Sequence, residues 1–338
     1  MEKTIAVVVS CNRHEALKSC IEEIRKQSHP VHQILVVNNG SSDYSTVWLD
    51  QQDDLIHIYQ DNLGPAGGFH TGIDWAHKNG YTWIWCMEDD STPQFNTLEM
   101  LFQHQDEKLA LYNSVVVDAN DHESLVYQTA GKKYVSGIKE SVLEGYAHPF
   151  NGCLIHREIV DRAGLPNAKL FYWGEGSDYF YRITKKCKIP ARTILSSVHF
   201  HPSQSTDLSE DWNLGTGWKM YFFIRNRYAV FNSKYNNRLF ASILYSLFII
   251  KCFSSIFLYQ KTDRLKKWKF IFWPLLDVIA GKYEHNNKSV QQRLALQIRD
   301  SFINLIFRSC KNFLLDILVP SHREIKTSPS IRYTSTSI

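Results

Sequence analysis

Seven of the 338 residues are cysteine, and no pattern joins them. Cys11, Cys20, Cys86, Cys153, Cys187, Cys252 and Cys310 are scattered and include no Cys-x-x-Cys pair. That excludes a disulfide framework and a thiolate zinc site, and leaves reduced thiols in a reducing compartment. A strong charge of one sign is also missing: 38 Lys and Arg against 34 Asp and Glu give a net charge of +4 and a pI near 8.5. A nucleic-acid partner is not expected, because that footprint calls for a basic face and a pI above about 9. The turn after the first apolar run, Ser10-Cys11-Asn12-Arg13, has no Gly-x-Gly-x-x-Gly fingerprint, which excludes a dehydrogenase. A sugar nucleotidyltransferase would need a basic Gly-rich loop there, and no Gly-Lys-Ser/Thr Walker loop occurs anywhere. The apolar run at the start, Ile5–Val9, is too short for a signal peptide and is followed by no cleavage pattern. A cytosolic N-terminal domain is the expectation.

What is present is enough apolar material for a packed core, 44% hydrophobic against 21% charged. Aromatic residues reach 13%, a share that sugar clefts and membrane-facing helices would both account for. Four β-branched or aromatic runs, Ile5–Val9, Ile34–Val37, Ile56–Tyr59 and Tyr81–Met87, read as strands covered on both faces. Helical spacing is found over Glu15–Gln27 and Thr71–Lys78. The order predicts an α/β, doubly wound, mainly parallel sheet with helices on both faces, binding its ligand beyond the carboxyl ends of the strands. Ala110–Val117 and Tyr146–His156 contain further strand-like pieces, and Asp178–Lys186 and Trp218–Lys234 read as helices.

Polar clusters sit at those strand ends. Trp83–Met87 runs into Glu88-Asp89-Asp90, three acids that repel one another unless a cation or donors offset them. Mg²⁺ or Mn²⁺ suits such oxygen ligands, and a solvated acidic helix start is the alternative. Asn38–Asp43 carries amides, hydroxyls and a carboxylate that suit a base and a ribose, or an ordinary turn. In Asn62–Phe69, Gly67 and Gly68 would let backbone N–H groups approach a phosphate, with a plain loop as the alternative. Phe171–Arg182 sets Glu175 and Asp178 among aromatic rings, where a general base works, while Arg182 stands one turn on as an ion-pair partner for Asp178. His199 and His201 alternate onto one face of an extended segment and are candidate metal ligands.

Taken in order, VVVSCNR, VVNNGSSD, NLGPAGGF, MEDD, FNGCLIHRE, FYWGEGSDYFYR, VHFHP and YFFIRNRYAVF resemble the inverting glycosyltransferases of family 2, with a GT-A fold. The resemblance covers about Ile5 to Tyr235. The Gly-rich loop and the late Arg-Asn-Arg-Tyr segment are most similar to the galactofuranosyl- and rhamnosyltransferase branch, which acts on bacterial surface polysaccharides such as O-antigen and capsule. The resemblance implies that Ser10, Arg13, Asn39 and Asp43 hold the nucleotide and that Asp89 approaches the ribose or donor sugar. It implies that Glu88 and Asp90 bind the divalent cation, and that His199 or His201 completes its shell. Family members commonly carry two adjacent acids after the Trp-Gly pair. Here Glu175 is followed by Gly176, so the base is Glu175 or Asp178, and an inactive nucleotide-binding scaffold is a rival reading. A UDP-sugar, above all UDP-galactofuranose, is the favoured donor, with dTDP-rhamnose the alternative.

Beyond the catalytic domain, residues 1–235, a helical region over residues 236–320 is expected to associate with membrane. Leu239–Ile250 falls short of the ~20 residues a spanning helix needs, and Lys251 separates it from Cys252–Tyr259. The basic stretch Lys261–Lys269 follows, then the apolar Phe270–Ile279. Such helices suit the interface over anionic lipid, where a polyprenyl-linked glycan would be the acceptor; a buried helical subdomain is the alternative. Amphipathic spacing continues over Ser289–Val319, and residues 321–338 read as a disordered tail. The enzyme is thus expected to be cytoplasmic and peripheral on the inner face of the membrane.

Overall fold

The computed structural model describes residues 2–105, 109–203, 208, 210–212, 217–295 and 332–334. Its chain order begins β1 (Thr4–Ser10), α1 (His14–Arg25), β2 (Gln33–Asn39), α2 (Ser45–Leu49), β3 (Leu55–Gln60), α3 (Gly64–Lys78), β4 (Trp83–Glu88) and β5 (Thr92–Pro93). It continues with α4 (Thr97–Gln103), β6 (Leu111–Asp118), β7 (Ser124–Thr129), β8 (Lys132–Tyr134), β9 (Val142–Glu144), β10 (Cys153–His156) and α5 (Arg157–Ala163). Then come α6 (Glu175–Tyr181), β11 (Ala191–His201), α7 (Gly217–Tyr235), α8 (Arg238–Leu258), α9 (Arg264–Ile279), α10 (Asn287–Ala295) and β12 (Arg332–Thr334).

Strand β1 lies mid-sheet, parallel to β2 on one side and β4 on the other. Its side chains alternate between two apolar layers, which is why the sequence run is continuously hydrophobic. Ile5, Val7 and Val9 pack with Phe69 and Ile73 of α3. Ala6 and Val8 pack with Leu17, Ile21 and Ile24 of α1. Each fully buried aliphatic side chain is worth about 1.5–3 kcal/mol. The sheet is mixed rather than purely parallel, because β10 runs antiparallel to both β4 and β6. Two reversals cancel: β6 runs with β4, and β11, parallel to β6, runs with it too. The carboxyl ends of β1, β2, β4 and β11 therefore reach one edge.

The chain divides into two compact units, Met1–Ala168 with Gly176–Gln204 and Pro329–Ile338, and Lys169–Glu175 with Ser205–Ser328. In the second, α7 packs with α8 and α9, and its core holds Phe171, Tyr221, Phe222, Ile224, Ile249, Phe270 and Trp273. The two apolar runs expected on either side of Lys251 are one helix, α8. Lys251 is exposed on it and interrupts the hydrophobic run without breaking the backbone. Of the amphipathic stretch, α10 includes Ser289–Ala295; the remainder to Val319 lies outside the described residues, as does most of the tail. Within the tail, Arg332–Thr334 pairs antiparallel to β3.

Candidate functional site

The acid triplet leaves β4 at the common edge. Asp89 is buried, and its carboxylate accepts hydrogen bonds from Cys11 N (3.3 Å) and Arg13 Nη1 (3.1 Å). Burial pushes its pKa up to about 6, and the neighbouring Asp90 and Glu88 charges push the same way against Arg13. Arg13 also donates to Asp90 Oδ2 at 2.5 Å. On the far side of the acids, His201 Nε2 stands 3.5 Å from Glu88 Oε2 and 3.3 Å from Asp90 Oδ1. Burial lowers the His201 pKa, but hydrogen bonds and charges from Asp90 and Glu88 outweigh it and hold the imidazole up at about 10. Burial likewise raises Asp90, and His201 and Arg13 overcome it, so its carboxyl stays below the usual range.

Glu88, Asp90 and His201 each present one donor atom, all within 4.8 Å of one another. Asp90 Oδ1 is buried and accepts no hydrogen bond of good geometry. Two carboxylates and an imidazole make a hard-to-borderline donor set, which fits Mn²⁺ or Mg²⁺.

Of the two histidines, the fold brings only His201 to the acids. His199 is fully buried, and its ring lies over Gly152, 2.9 Å from where a Cβ would stand there. Burial first, then the His201 charge, lower its pKa to about 3. Glu88, Asp90 and His201 come together, whereas His199, two residues earlier on β11, packs against Gly152.

Gly67 and Gly68 do not stand in a loop. They lie inside α3, which starts at Gly64, seven residues before the expected Thr71. A Cβ on Gly68 would stand 2.3 Å from Val9 Cγ1, and one on Gly72 2.4 Å from Val7 Cγ1. Gly68 and Gly72 thus let the helix lie close to β1, while a Cβ on Gly67 would stand 2.3 Å from Leu63 Cβ.

Asn39 is buried and committed to that junction. Its Nδ2 donates to Gly64 O (3.0 Å), and its Oδ1 accepts from Leu63 N (3.1 Å) and Gln60 Nε2 (2.8 Å). Asp43 accepts from His14 N (3.1 Å) and Ser45 N (3.0 Å), so it caps α1 and α2; burial raises its pKa, and these bonds lower it further than that. Ser10 is buried at the end of β1. Asn12, which no motif singles out, accepts from Ser42 N through Oδ1 at 2.6 Å and ties the β1 and β2 turns together.

Asp178 is buried and pairs with Arg182 Nε at 3.0 Å, and Arg182 donates to Ala163 O and Leu165 O. That is the ion-pair alternative raised by the spacing. Gly176 has a local reason: a Cβ there would stand 3.2 Å from Pro149 O. Glu175, in the second unit, is buried and opens α6.

A family model described as glycosyl transferase family 2 matches residues 5–161. The galactofuranosyltransferase GlfT1 of Mycolicibacterium smegmatis is 27% identical over 60% of this chain and 71% of its own length. GlfT1 of Mycobacterium tuberculosis is 26% identical over 61% and 72%. Among solved structures, S. aureus TarS residues 1–349 superpose with a TM-score of 0.52 at 13% identity, covering 92% of this chain and 88% of that one. The same TarS fragment in complex with UDP gives 0.52 at 12% identity, covering 98% and 96%. The fold is that of the GT-A glycosyltransferases, an α/β sheet with C-terminal helices, as the motifs imply.

Proposed function

From the premise that residues 5–161 belong to glycosyl transferase family 2, we propose that this enzyme transfers galactofuranose from UDP-galactofuranose, with inversion, to a hydroxyl of a lipid-linked glycan. The product would serve a bacterial surface polysaccharide of the O-antigen or capsule type. The observation that carries the reading is the convergence of Glu88, Asp90 and His201 at the edge where β1, β2 and β4 end. The donor sugar rests on the galactofuranosyltransferase relatives, and UDP on those relatives and the UDP-bound TarS neighbour.

Glu88, Asp90 and His201 would hold the cation, which when bound neutralises charge on the diphosphate leaving group. Arg13 and Asp89 face the same edge and would orient the nucleotide and ribose, with Ser10 buried behind them. Asn39 and Asp43 would act by holding the surrounding turns. Glu175 would take the proton from the acceptor hydroxyl as it attacks the anomeric carbon on the face opposite the leaving group. Asp178, engaged with Arg182, is left a structural role.

For the acceptor, the support is α8. It is the one helix among the described residues long and apolar enough to cross a membrane, by length and composition. One face, Ala241, Tyr245, Ile249, Cys252 and Ile256, is buried within its unit, while Leu239, Ile243, Leu247, Ile250 and Phe257 are exposed. A helix with one face packed on protein suits the membrane interface better than a crossing. Exposed Lys251, Lys261, Arg264, Lys266 and Lys269 suit anionic lipid at the cytoplasmic face.

The test is thermal stability with UDP or dTDP, with and without MnCl₂, followed by turnover of the matching sugar nucleotide. At a hundredfold excess over Kd, binding adds about 2.7 kcal/mol, a shift of several degrees. A Mn²⁺-dependent shift with UDP and turnover of UDP-galactofuranose are expected. A shift with dTDP alone would move the donor to dTDP-rhamnose. Binding without turnover would make the chain a scaffold, and no shift with any nucleotide would overturn the donor site.

A further inference from the structure

The segment leading into Glu175 is backbone under tension. Phe171 and Trp173 adopt left-handed conformations, with φ of 61° and 53°, and Gly174 follows at 103°. Non-glycine residues hold such angles only where their surroundings impose them. The surroundings come from two adjacent residues of α7. Asn226 Nδ2 donates to the carbonyls of Leu170 (2.8 Å), Tyr172 (2.8 Å) and Trp173 (2.6 Å). Arg225 Nη2 donates to Lys169 O (3.1 Å) and Leu170 O (2.9 Å), and its Nε donates to Asn226 Oδ1 (3.0 Å), which sets the amide's orientation.

Both side chains are buried, Arg225 at 0% and Asn226 at 1% exposure. The guanidinium is stacked among Tyr221, Phe222 and Tyr283. A Cβ on Gly174 would lie 3.1 Å from Asn226 Cβ, so the loop and helix touch there without room for a side chain. Buried donors are costly to strand, and here they are spent on the carbonyls of Lys169, Leu170, Tyr172 and Trp173.

We propose that Arg225 and Asn226 are positioning residues for Glu175: they fix the curl of Lys169–Trp173 and so the direction in which the Glu175 carboxyl leaves the chain. The inference rests on Glu175 being the base. A carboxylate in place of the Asn226 amide would face the same carbonyls with no proton to give, and the loop would be released. Misplacing a base by about 1 Å costs on the order of 100-fold in rate.

The experiment is a double-mutant cycle on the full chain. It follows UDP release from UDP-galactofuranose, with Mn²⁺ and an alkyl glycoside acceptor, for Asn226→Asp, Glu175→Gln and the pair. Asn226→Asp is expected to lower kcat about 100-fold with the donor KM within twofold of wild type. Combined with Glu175→Gln it is expected to add less than threefold further loss, because two residues acting through one group are not additive. Multiplicative losses, or a wild-type kcat in a folded Asn226→Asp protein, would overturn the proposal. Where Asn226→Asp does not fold, Arg225→Lys, which keeps the charge and loses the fork, takes its place in the same cycle with an expected tenfold loss of kcat. If Glu175→Gln alone keeps full activity, it is the assignment of the base that fails, whatever the α7 variants do.

Discussion

One guanidinium nitrogen of Arg13 lies 2.5 Å from Asp90 Oδ2, while His201 Nε2 approaches the other oxygen of the same carboxylate at 3.3 Å. Asp90 thus stands between a guanidinium and an imidazole, and its neighbours Asp89 and Glu88 each approach one of them. Asp90→Asn removes the charge and keeps the shape. Sugar transfer is expected to fall by about 1000-fold, the scale of losing a fixed electrostatic partner at a reacting centre. The Mn²⁺-dependent part of the UDP thermal shift should vanish while the far-UV circular dichroism is unchanged. Full turnover by this variant would remove Asp90 from the metal site.

Gly68 separates packing from phosphate binding. Alanine there meets Val9 Cγ1, a stiff β-branched neighbour, and overpacking of this kind costs about 1–3 kcal/mol. Urea unfolding should show Gly68→Ala destabilised by that amount and the Gly68→Ala/Val9→Ala pair substantially restored. If Gly68→Ala is as stable as wild type but no longer shifts with UDP, the phosphate role returns.

Asp178 and Arg182 form a pair with one partner buried and the other mostly so. Asp178→Asn leaves the guanidinium with its two carbonyls and without its counter-charge, at a cost of about 2 kcal/mol, below the full value for a wholly buried pair. Transfer per folded molecule should stay within about threefold of wild type. A large loss of kcat with unchanged stability would instead make Asp178 the base.

These roles were unevenly legible in the sequence. β1, β2 and β4 were legible because a parallel strand covered on both faces has to be written as an unbroken apolar run, and the acids at the end of β4 are conspicuous after it. The choice between His199 and His201 was not, because alternation puts both on one face and only the packing of His199 against the distant Gly152 separates them. Glycines are ambiguous in the same way: a loop near phosphate and a helix pressed against Val7 and Val9 both ask for a missing Cβ. Arg13 meets Asp89 across 76 positions, and Asn226 meets the Trp173 carbonyl across 53. No local pattern encodes either contact.

His148 stacks on Tyr127 with ring centroids 4.1 Å apart, and burial lowers its pKa from 6.5 to about 4. The folded state holds it neutral where the unfolded chain would already be protonated. Its contribution to stability is therefore complete above pH 6.5 and is lost as the pH falls from there towards 4. His148→Phe keeps a ring against Tyr127 and takes up no proton. Between pH 7 and pH 4 its melting temperature should fall less than that of the wild type; parallel curves would show that His148 is not the group responsible.

Truncation after Tyr235 is a poor test of membrane association, because α7 packs against α8 and would be left with a bare apolar face. Point changes on the exposed stripe leave that packing intact. Leu247 and Ile250 are 58% and 60% exposed on the face of α8 opposite Tyr245 and Ile249. Leu247→Asp/Ile250→Asp withdraws the apolar area that would enter the lipid, about 1 kcal/mol for each side chain, and adds two charges that anionic headgroups repel. Sedimentation with phosphatidylcholine vesicles containing phosphatidylglycerol should show at least a tenfold loss of binding, with the melting temperature held. Changing Lys261, Lys266 and Lys269 to Gln should weaken binding to the anionic vesicles and leave binding to pure phosphatidylcholine as it was, since the attraction of each cation near the surface depends on lipid charge and is screened by salt. If the apolar variant pellets as wild type does, lipid is not what the stripe contacts. If it instead changes the oligomeric state, the stripe joins two copies of the chain.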